Sequence, residues 1–239
     1  ETVQPDLVDI NFGCPVKKVV SKGAGAGVLK DIDLMVKLTK AVVNSTELPV
    51  TVKTRLGWDT ESINIEEVAE RLQEVGIKAL TIHARTRTQM YKGKADWEYI
   101  SKVKNNPNIE IPIFGNGDID SPETALEYRE KYDIDGMMIG RGAIGYPWIF
   151  NEIKHFFQTG EKLTPPTIKD RLEAVRQHAE WSAEWKGERA GLIEMRQHYS
   201  NYFRGIPHFK EYRTKFLQVL TMQEMESVLE EIYTQLDKE

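Results

Sequence analysis

The chain has 239 residues, of which 40% are hydrophobic and 29% are charged, so it has the composition of a globular protein with a sizeable core. The formal net charge of -5 gives no global sign of nucleic-acid binding, and any such surface has to be local. The single cysteine excludes an intrachain disulfide and favours a reducing compartment, while no apolar run approaches the ~20 residues that span a bilayer. We therefore expect a cytoplasmic protein that does not associate with membranes.

Short apolar segments rich in β-branched residues alternate with amphipathic stretches through the first two thirds of the chain. Such segments are typical of strands buried on both faces. The order βαβαβαβαβ with short connections predicts a parallel sheet, either doubly wound or part of a (β/α)₈ barrel. The predicted strands are Asp6–Phe12, Val50–Arg55, Ala79–Ala84, Ile111–Gly115 and Gly136–Gly140.

The intervening helices carry recognisable start and stop signals. Asp31 is expected to open a helix that runs to about residue 43. Asn64 and Glu67 have the spacing of a capping box, and Gly76 is expected to close that helix. Ser121-Pro122 predicts an N-cap followed by proline at the first helical position.

A dinucleotide fingerprint would favour the doubly wound sheet. The nearest match, Gly23-Ala-Gly-Ala-Gly27, lacks the final glycine spacing and lies well past its strand. The fingerprint therefore fails, which leaves the barrel as the alternative.

The sequence pattern changes after about Gly160. Lys162–Pro166 has the composition of a linker, and no strand pattern follows it. We predict that residues 1–160 are barrel and that residues 161–239 form a separate all-helical domain. Its predicted helices are Ile168–Lys186, Glu188–Arg204, Phe209–Val219 and Gln223–Leu236.

Polar residues and glycines follow each predicted strand. Because α/β barrels build their active sites at the carboxyl edge of the sheet, five such clusters in succession predict one site assembled from all of them. The clusters are Asn11-Phe-Gly-Cys14, Lys53-Thr-Arg55, His83-Ala-Arg-Thr-Arg87, Gly115-Asn-Gly-Asp118 and Gly140-Arg-Gly142.

Taken singly, most of these residues have an ordinary structural interpretation as well. Lys53 is either a lysine that extends from a strand end or a cation held against an electron-rich ligand. His83 is more often a satisfied histidine at a barrel rim, and Asn116-Gly117 is a common turn. Gly140-Arg141-Gly142 resembles a glycine loop that opens a short helix, an arrangement that surrounds a phosphate with backbone N–H groups and one guanidinium.

Cys14 is either a buried structural thiol or a reactive one. Free cysteine is among the most buried residue types, which supports the first interpretation. Lys17, Lys18, Lys22 and Lys30 follow it without an intervening acidic residue, which supports a phosphate-binding loop beside a reactive thiol. One cysteine and five scattered histidines give no spacing of metal ligands, so no metal is expected.

A basic and aromatic stretch lies in the helical region. Residues 196–216 interleave basic residues with six aromatic ones, and Glu211 is the one acidic residue among them. We expect most of the aromatics to pack the helical core and the basic residues to suit a nucleic-acid backbone. The basic residues are Arg196, Arg204, Lys210, Arg213 and Lys215.

Taken in order, the clusters resemble the tRNA-dihydrouridine synthases, most nearly their B-type bacterial subgroup. The resemblance runs from about residue 6 to 157, and the helical tail fits the family's tRNA-binding domain in length and helicity only. The stretches that carry it are Asp9-Ile-Asn-Phe-Gly-Cys-Pro15, Gly23-Ala-Gly-Ala-Gly-Val-Leu29, Val52-Lys-Thr-Arg-Leu-Gly57, His83-Ala-Arg-Thr-Arg87 with Tyr91-Lys-Gly93 and Ala95-Asp-Trp97, Gly115-Asn-Gly-Asp118 and Gly140-Arg-Gly142.

The resemblance implies an oxidoreductase on a (β/α)₈ barrel that uses FMN and NADPH to reduce a uridine in tRNA. Hydride would pass to C6 of the uracil, and Cys14 would protonate C5. It also implies that Lys53 and His83 hold the isoalloxazine. The resemblance assigns the ribityl phosphate end to Asn116, Gly117, Asp118, Gly140 and Arg141, and the uracil edge to Asn11. From the basic stretches of the sequence we expect further substrate contacts by Lys17, Lys18, Arg204, Lys210 and Arg213, and we expect Arg85 to contact the substrate as well.

Two further expectations concern the extent of the chain and its activity. The family's first barrel units have no counterpart here, so we expect the chain to begin just before the fourth strand and to contain the last five βα units. The alternatives to the synthase are a non-catalytic tRNA-binding protein on the same scaffold and a small-molecule FMN enzyme of dihydroorotate dehydrogenase type. The sequence leaves the oligomeric state and the modified uridine open.

Overall fold

The computed structural model of the protein describes residues 3–206 and 209–236. The chain divides into two compact units, Glu1–Gly140 and Arg141–Glu239. The first unit is α/β, and the regular elements among the described residues of the second unit are all helices. The domain boundary placed at residue 160 from the sequence stays a prediction.

The first unit is built on one parallel sheet of five strands. Each strand pairs with the next one along the chain, in the order β1-β2-β3-β4-β5. A doubly wound sheet reverses its strand order at a switch point, whereas consecutive barrel strands do not. The prediction of successive barrel units is thereby confirmed. The strands are β1 Val8–Asn11, β2 Val50–Arg55, β3 Ala79–His83, β4 Ile113–Asn116 and β5 Gly136–Met138.

The two faces of the sheet differ in composition and burial. One face is apolar and fully buried, with Val52, Leu80 and Ile113 among its members. The alternate residues Lys53 and Thr81 point to the other face and are only half-buried. The expectation that both faces are buried is therefore wrong for the described part of the chain. An apolar outer face beneath helices and a polar inner face are what a segment of barrel wall presents.

Helices follow the strands along the buried face. The pairs α2–α3, α3–α4 and α4–α5 pack side by side. The helices of this unit are α1 Lys17–Val20, α2 Ile32–Val43, α3 Ile65–Val75, α4 Glu98–Lys104 and α5 Pro122–Tyr132. A 3₁₀ helix also covers Gly25–Lys30, so the lysine-rich segment after β1 contains helical turns where a loop was expected.

Most of the predicted helix boundaries are confirmed. The Asp31 carboxylate accepts a bond from the N–H of Leu34, and Ser121 caps α5 in the same way. Gly76 ends α3 in the left-handed conformation. The capping box at Asn64 is wrong, because the Asn64 side chain makes no capping bond and its Nδ2 donates to the Leu29 carbonyl instead.

The second unit is a helical bundle around an aromatic core. The predicted helix at 188–204 is in fact two helices, because i→i+3 bonds such as that from the N–H of His198 to the carbonyl of Met195 end α8. The six aromatic residues between 199 and 216 are buried, as expected. The helices are α6 Ile149–Thr159, α7 Ile168–Lys186, α8 Glu188–Met195, α9 Tyr199–Tyr202, α10 Lys210–Phe216 and α11 Met222–Leu236.

Candidate active site

The backbone around Cys14 is fixed by hydrogen bonds from three directions. The N–H of Phe12 donates to the Lys53 carbonyl over 2.8 Å, which continues the β1–β2 pairing beyond the strand. The N–H of Gly13 donates to Asn11 Oδ1 over 2.8 Å. The Cys14 carbonyl accepts from the N–H of Ala26 over 3.0 Å. The half-buried thiol therefore lies on a rigid loop at the carboxyl edge of β1.

The 3₁₀ segment Gly25–Lys30 packs closely against Cys14, and Gly25 permits this. Gly25 has a φ of +54°, a conformation that side chains rarely adopt. A Cβ at this position would lie 2.8 Å from the Cys14 carbonyl oxygen and 3.0 Å from Cys14 Cβ. The glycine is therefore required both by its φ and by the closeness of the thiol loop.

Arg55, the last residue of β2, connects the loops that follow β1 and β3. Its side chain is buried, with Nε donating to the Gly13 carbonyl over 2.8 Å and Nη1 donating to the carbonyls of Thr86 and Met90. No role for Arg55 was predicted from the sequence. Arg55 follows Lys53 by two residues, and residues i and i+2 of a strand point to the same face. The sequence therefore could have placed Arg55 on the same face as Lys53.

Lys53 brings an ammonium group to the inner face beside this loop. Burial lowers the pKa of Lys53, the positive charge of Arg55 lowers it further, and Asp9 partly opposes both. A Cβ built on Gly13 would lie 3.4 Å from Asn11 Oδ1 and 3.6 Å from Lys53 Nζ. Asn11 and Lys53 therefore share one space next to Gly13, which precedes Cys14.

His83 and the Asn116-Gly117 turn occupy the adjoining strand ends. Strand pairing aligns Arg55 with His83 and His83 with Asn116. Gly117 has a φ of +130°, and a Cβ there would lie 2.9 Å from Ala95 Cβ and 3.6 Å from His83 Nε2. Asn116 Nδ2 donates to the Met138 carbonyl over 2.7 Å, which ties β4 to β5.

The buried Arg85 and the partly exposed Asp118 form an ion pair between two of these loops. Arg85 Nη2 lies 2.6 Å from Asp118 Oδ2, and the Arg85 side chain is 2% exposed. Arg85 also donates to the carbonyls of Lys92 and Gly93, while Asp118 accepts from the N–H of Ala95. The pair fixes the loop after β3 against the turn that holds Gly117.

The structure brings most of the sequence-predicted residues to one sheet edge. Lys17 and Lys18 are exposed on α1, which begins shortly after Cys14 in the chain. Gly140 lies near Asn116, since a Cβ on Gly140 would lie 3.9 Å from Asn116 Nδ2. Arg141 begins the helical unit, in a 3₁₀ turn over Arg141–Ala143, and its role at a phosphate stays a prediction.

The helical unit presents exposed cations outside its aromatic core. Arg204, Lys210 and Arg213 are exposed, whereas Lys215 forms an ion pair with Glu231. Among residues 3–206 and 209–236, no group of three or more histidine, cysteine or acidic side chains is arranged to hold a metal ion. Within the same residues no helix is long and apolar enough to cross a membrane.

Comparison with known proteins gives a consistent family. The family model described as "Dihydrouridine synthase (Dus)" matches residues 1–237. The probable tRNA-dihydrouridine synthase 1 of Synechocystis sp. is 43% identical over 94% of this chain and 62% of its own length. The tRNA-dihydrouridine synthase B of Pseudomonas aeruginosa is 40% identical over 88% of this chain and 63% of its own length. That of Shewanella oneidensis is 38% identical over 96% of this chain and 70% of its own length.

The chain therefore spans 62% to 70% of the length of these relatives. The family model covers nearly all of it, and the strand-end clusters named above lie within the matched residues. On these grounds the chain belongs to the dihydrouridine synthase family.

Proposed function

We propose that this chain carries the proton donor, part of the flavin site and the helical tRNA-binding region of a cytoplasmic tRNA-dihydrouridine synthase. The reaction is the NADPH-dependent reduction of a uridine in tRNA, with FMN as the cofactor. The observation that carries the proposal is the rigid Cys14 loop beside Asn11 and Lys53 at the carboxyl edge of the sheet. The names of the relatives support the same activity.

The residues at this edge fit a flavin. Lys53 supplies a half-buried ammonium of lowered pKa, which suits an electron-rich ring atom. Gly117 leaves a space beside His83 Nε2 that any side chain at residue 117 would fill. Lys53 and His83 would hold the isoalloxazine ring. Asn116, Gly117, Asp118, Gly140 and Arg141 would serve the ribityl phosphate end.

The ion pair between Arg85 and Asp118 changes the role that we assign to each of these two residues. Asp118 Oδ2 already accepts from Arg85 and from the N–H of Ala95, so we assign to Asp118 the positioning of the Gly117 turn. Arg85 is 2% exposed and bonded to the loop at 92–93. We propose that Arg85 contributes to substrate binding indirectly, because it holds the loop at 92–93 and the turn at Asp118 in place.

The chain's own residues supply the proton of the reaction. Reduced FMN, when bound, supplies the hydride that adds to C6 of the uracil. The S–H bond of Cys14 breaks as C5 gains its proton, and solvent reprotonates the resulting thiolate.

Asn11 is suited to hold the uracil. Its Oδ1 accepts from the N–H of Gly13, so its amide nitrogen keeps two hydrogens for carbonyl oxygens of the base. The same bond ties Asn11 to the loop that carries Cys14. The uracil has to leave its stacked position to enter the site, as other base-modifying enzymes require.

The helical unit provides a surface for the tRNA backbone. Arg204, Lys210 and Arg213 are exposed around a core that the neighbouring aromatics fill, so their charges face solvent. Cations of this kind bind phosphates without reading sequence. We assign them to the tRNA backbone.

The experiment that tests the proposed function uses the intact protein purified from cells. Its absorbance spectrum reports bound flavin, and incubation with NADPH and unmodified tRNA reports dihydrouridine by mass spectrometry of the digested RNA. We expect both flavin and dihydrouridine. Tight tRNA binding without flavin would favour the non-catalytic alternative, and oxidation of NADPH with dihydroorotate-type substrates but not tRNA would favour the small-molecule alternative.

A further inference from the structure

Two cations from different loops share one indole ring at the carboxyl edge of the first unit. Lys30 Nζ lies 3.8 Å from the centre of the Trp58 ring, and Arg87 Cζ lies 4.7 Å from it. The two charges are therefore at most about 8.5 Å apart, since both distances run to the same ring. Lys30 ends the 3₁₀ segment after β1, Trp58 follows β2, and Arg87 follows β3.

Main-chain bonds hold the three loops together. The N–H of Arg87 donates to the Gly57 carbonyl over 3.0 Å, and the N–H of Thr88 donates to the Trp58 carbonyl over 2.9 Å. Asn64 Nδ2 donates to the carbonyl of Leu29, the residue before Lys30. The arrangement is thus a property of the fold, because each cation is attached to a backbone that is itself fixed.

Neither Lys30 nor Arg87 forms an ion pair with a carboxylate within the described part of the chain. The ion pairs found there do not include Lys30 or Arg87. The acidic neighbours in sequence are otherwise engaged: Asp31 caps α2, and Asp59 accepts from Ser62 and from the N–H of Glu61. Arg87 Nε is buried without a hydrogen-bond partner among residues 3–206 and 209–236.

Two like charges that form no ion pair among the described residues and lie within about 8.5 Å of each other attract an anion. The Trp58 ring favours the positions of both cations through its negative face, so less side-chain freedom is lost when an anion binds. The segment that ends in Lys30 is the one that closes on Cys14, since Ala26 donates to the Cys14 carbonyl. The cation pair therefore belongs to the same edge as the proposed reaction site.

We infer that Lys30, Trp58 and Arg87 form a phosphate-binding site for the backbone of the substrate RNA next to the nucleotide that is reduced. The inference rests on the proposed function and adds a contact on the α/β unit to those assigned to the helical unit. The ligand is a phosphodiester. The phosphates of NADPH have the same chemistry, and the experiment separates the two.

The test measures tRNA affinity of the intact, flavin-loaded protein at several salt concentrations. The variant Lys30→Gln with Arg87→Gln should bind tRNA more weakly, by about three- to fivefold for each cation removed. The plot of log affinity against log salt should become shallower, by about 0.7 to 0.9 for each phosphate that is no longer neutralised. Flavin occupancy and the rate of flavin reduction by NADPH should be unchanged.

Two further variants control the comparison. Lys102 lies 4.7 Å above the Tyr99 ring in α4, so Lys102→Gln removes a cation from a similar aromatic contact elsewhere and should leave tRNA affinity unchanged. Trp58→Leu keeps both charges but removes the ring that holds them. It should weaken tRNA binding about two- to threefold with an unchanged salt slope, because the number of phosphate contacts is the same.

Wild-type affinity and salt slope in the Lys30/Arg87 double variant would overturn the inference. A raised KM for NADPH with unchanged tRNA affinity would assign the cations to the dinucleotide and would overturn it as well. If the wild-type protein forms dihydrouridine while the double variant behaves normally, this inference alone fails. If the wild-type protein neither binds tRNA nor forms dihydrouridine, the proposed function fails and the inference falls with it.

Discussion

At the scale of single residues, the candidate site contains two cations on one strand, the half-buried Lys53 and the buried Arg55. Lys53 and Arg55 point to the same face of β2 and differ in their surroundings. Arg55 is bonded to three backbone carbonyls, whereas the pKa of Lys53 is lowered by burial and by the Arg55 charge. We therefore regard Arg55 as the residue that shapes the site and Lys53 as the residue that meets a ligand.

The lowered pKa of Lys53 makes a prediction about stability and pH. Because the folded state holds this proton less tightly than the unfolded chain, the charged amine costs stability below its folded pKa. The cost disappears as the pH rises from the folded value towards the ordinary 10.5. We expect Lys53→Met to be at least as stable as the wild type at pH 7, with an advantage that shrinks near pH 10.

Urea unfolding at the two pH values measures this difference, and flavin occupancy after purification is measured on the same samples. We expect lower occupancy in Lys53→Met, because the lysine serves a ligand at some cost to the fold. A variant that is less stable at pH 7 and that retains full flavin would show that Lys53 is a structural residue.

The residues of the site were only partly predictable from the sequence. Cys14, Lys53, His83 and Asn116 could be proposed because each lies at or near the carboxyl end of a strand, and parallel strands bring these ends to one edge. Arg55 was missed, because its role depends on carbonyls of residues 13, 86 and 90, which no local pattern links. The contacts of Arg85 with Asp118 were hidden for the same reason.

At the scale of elements, the helix N-caps show where a local sequence signal is enough to predict the start of a helix. Local signals predicted α2 and α5 well, because Asp31 and Ser121 act within their own first turns. The same kind of signal failed at Asn64, where a tertiary acceptor, the Leu29 carbonyl, takes the side chain. Short-range rules hold where no distant partner competes.

The 3₁₀ segment next to Cys14 gives a prediction with a matched control. Gly25→Ala faces a positive φ and also places a Cβ 2.8 Å from the Cys14 carbonyl oxygen, whereas Gly23→Ala faces a φ of +71° in open space. A positive φ alone costs about 1–2 kcal/mol. We expect Gly23→Ala to lose about that much unfolding free energy and Gly25→Ala to lose clearly more.

Formation of dihydrouridine provides the second measurement on this pair. Activity should fall in Gly25→Ala, because the segment can no longer close on the thiol loop, and should be retained in Gly23→Ala. Equal stability losses and equal activities in the two variants would mean that the contact between Gly25 and Cys14 is unimportant.

At the scale of the whole molecule, the net charge of -5 means that the proposed binding of tRNA would depend on local basic surfaces. We expect the variant Arg204→Ala, Lys210→Ala, Arg213→Ala to bind tRNA more weakly, with a salt slope flattened by about 0.7 to 0.9 for each phosphate that these cations neutralise in the wild type. Reduction of the flavin by NADPH should stay normal. Filter binding across a salt series checks both the affinity and the slope.

The control for this variant removes the same charge from the first unit. Lys37, Lys40 and Lys78 are exposed and lie away from the carboxyl edge of the sheet, so replacing all three by alanine should leave the salt slope unchanged. If the two triple variants lose affinity equally, tRNA binding follows total charge and the helical surface has no special part in it.

The assignment of Cys14 as the proton donor to C5 of the uracil is tested by a single turnover of the intact, flavin-reduced protein with unmodified tRNA. We predict that Cys14→Ala binds flavin and is reduced by NADPH at the wild-type rate, yet forms no dihydrouridine in the time that the wild type needs for one turnover. Formation of dihydrouridine by Cys14→Ala at the wild-type rate would contradict the assignment.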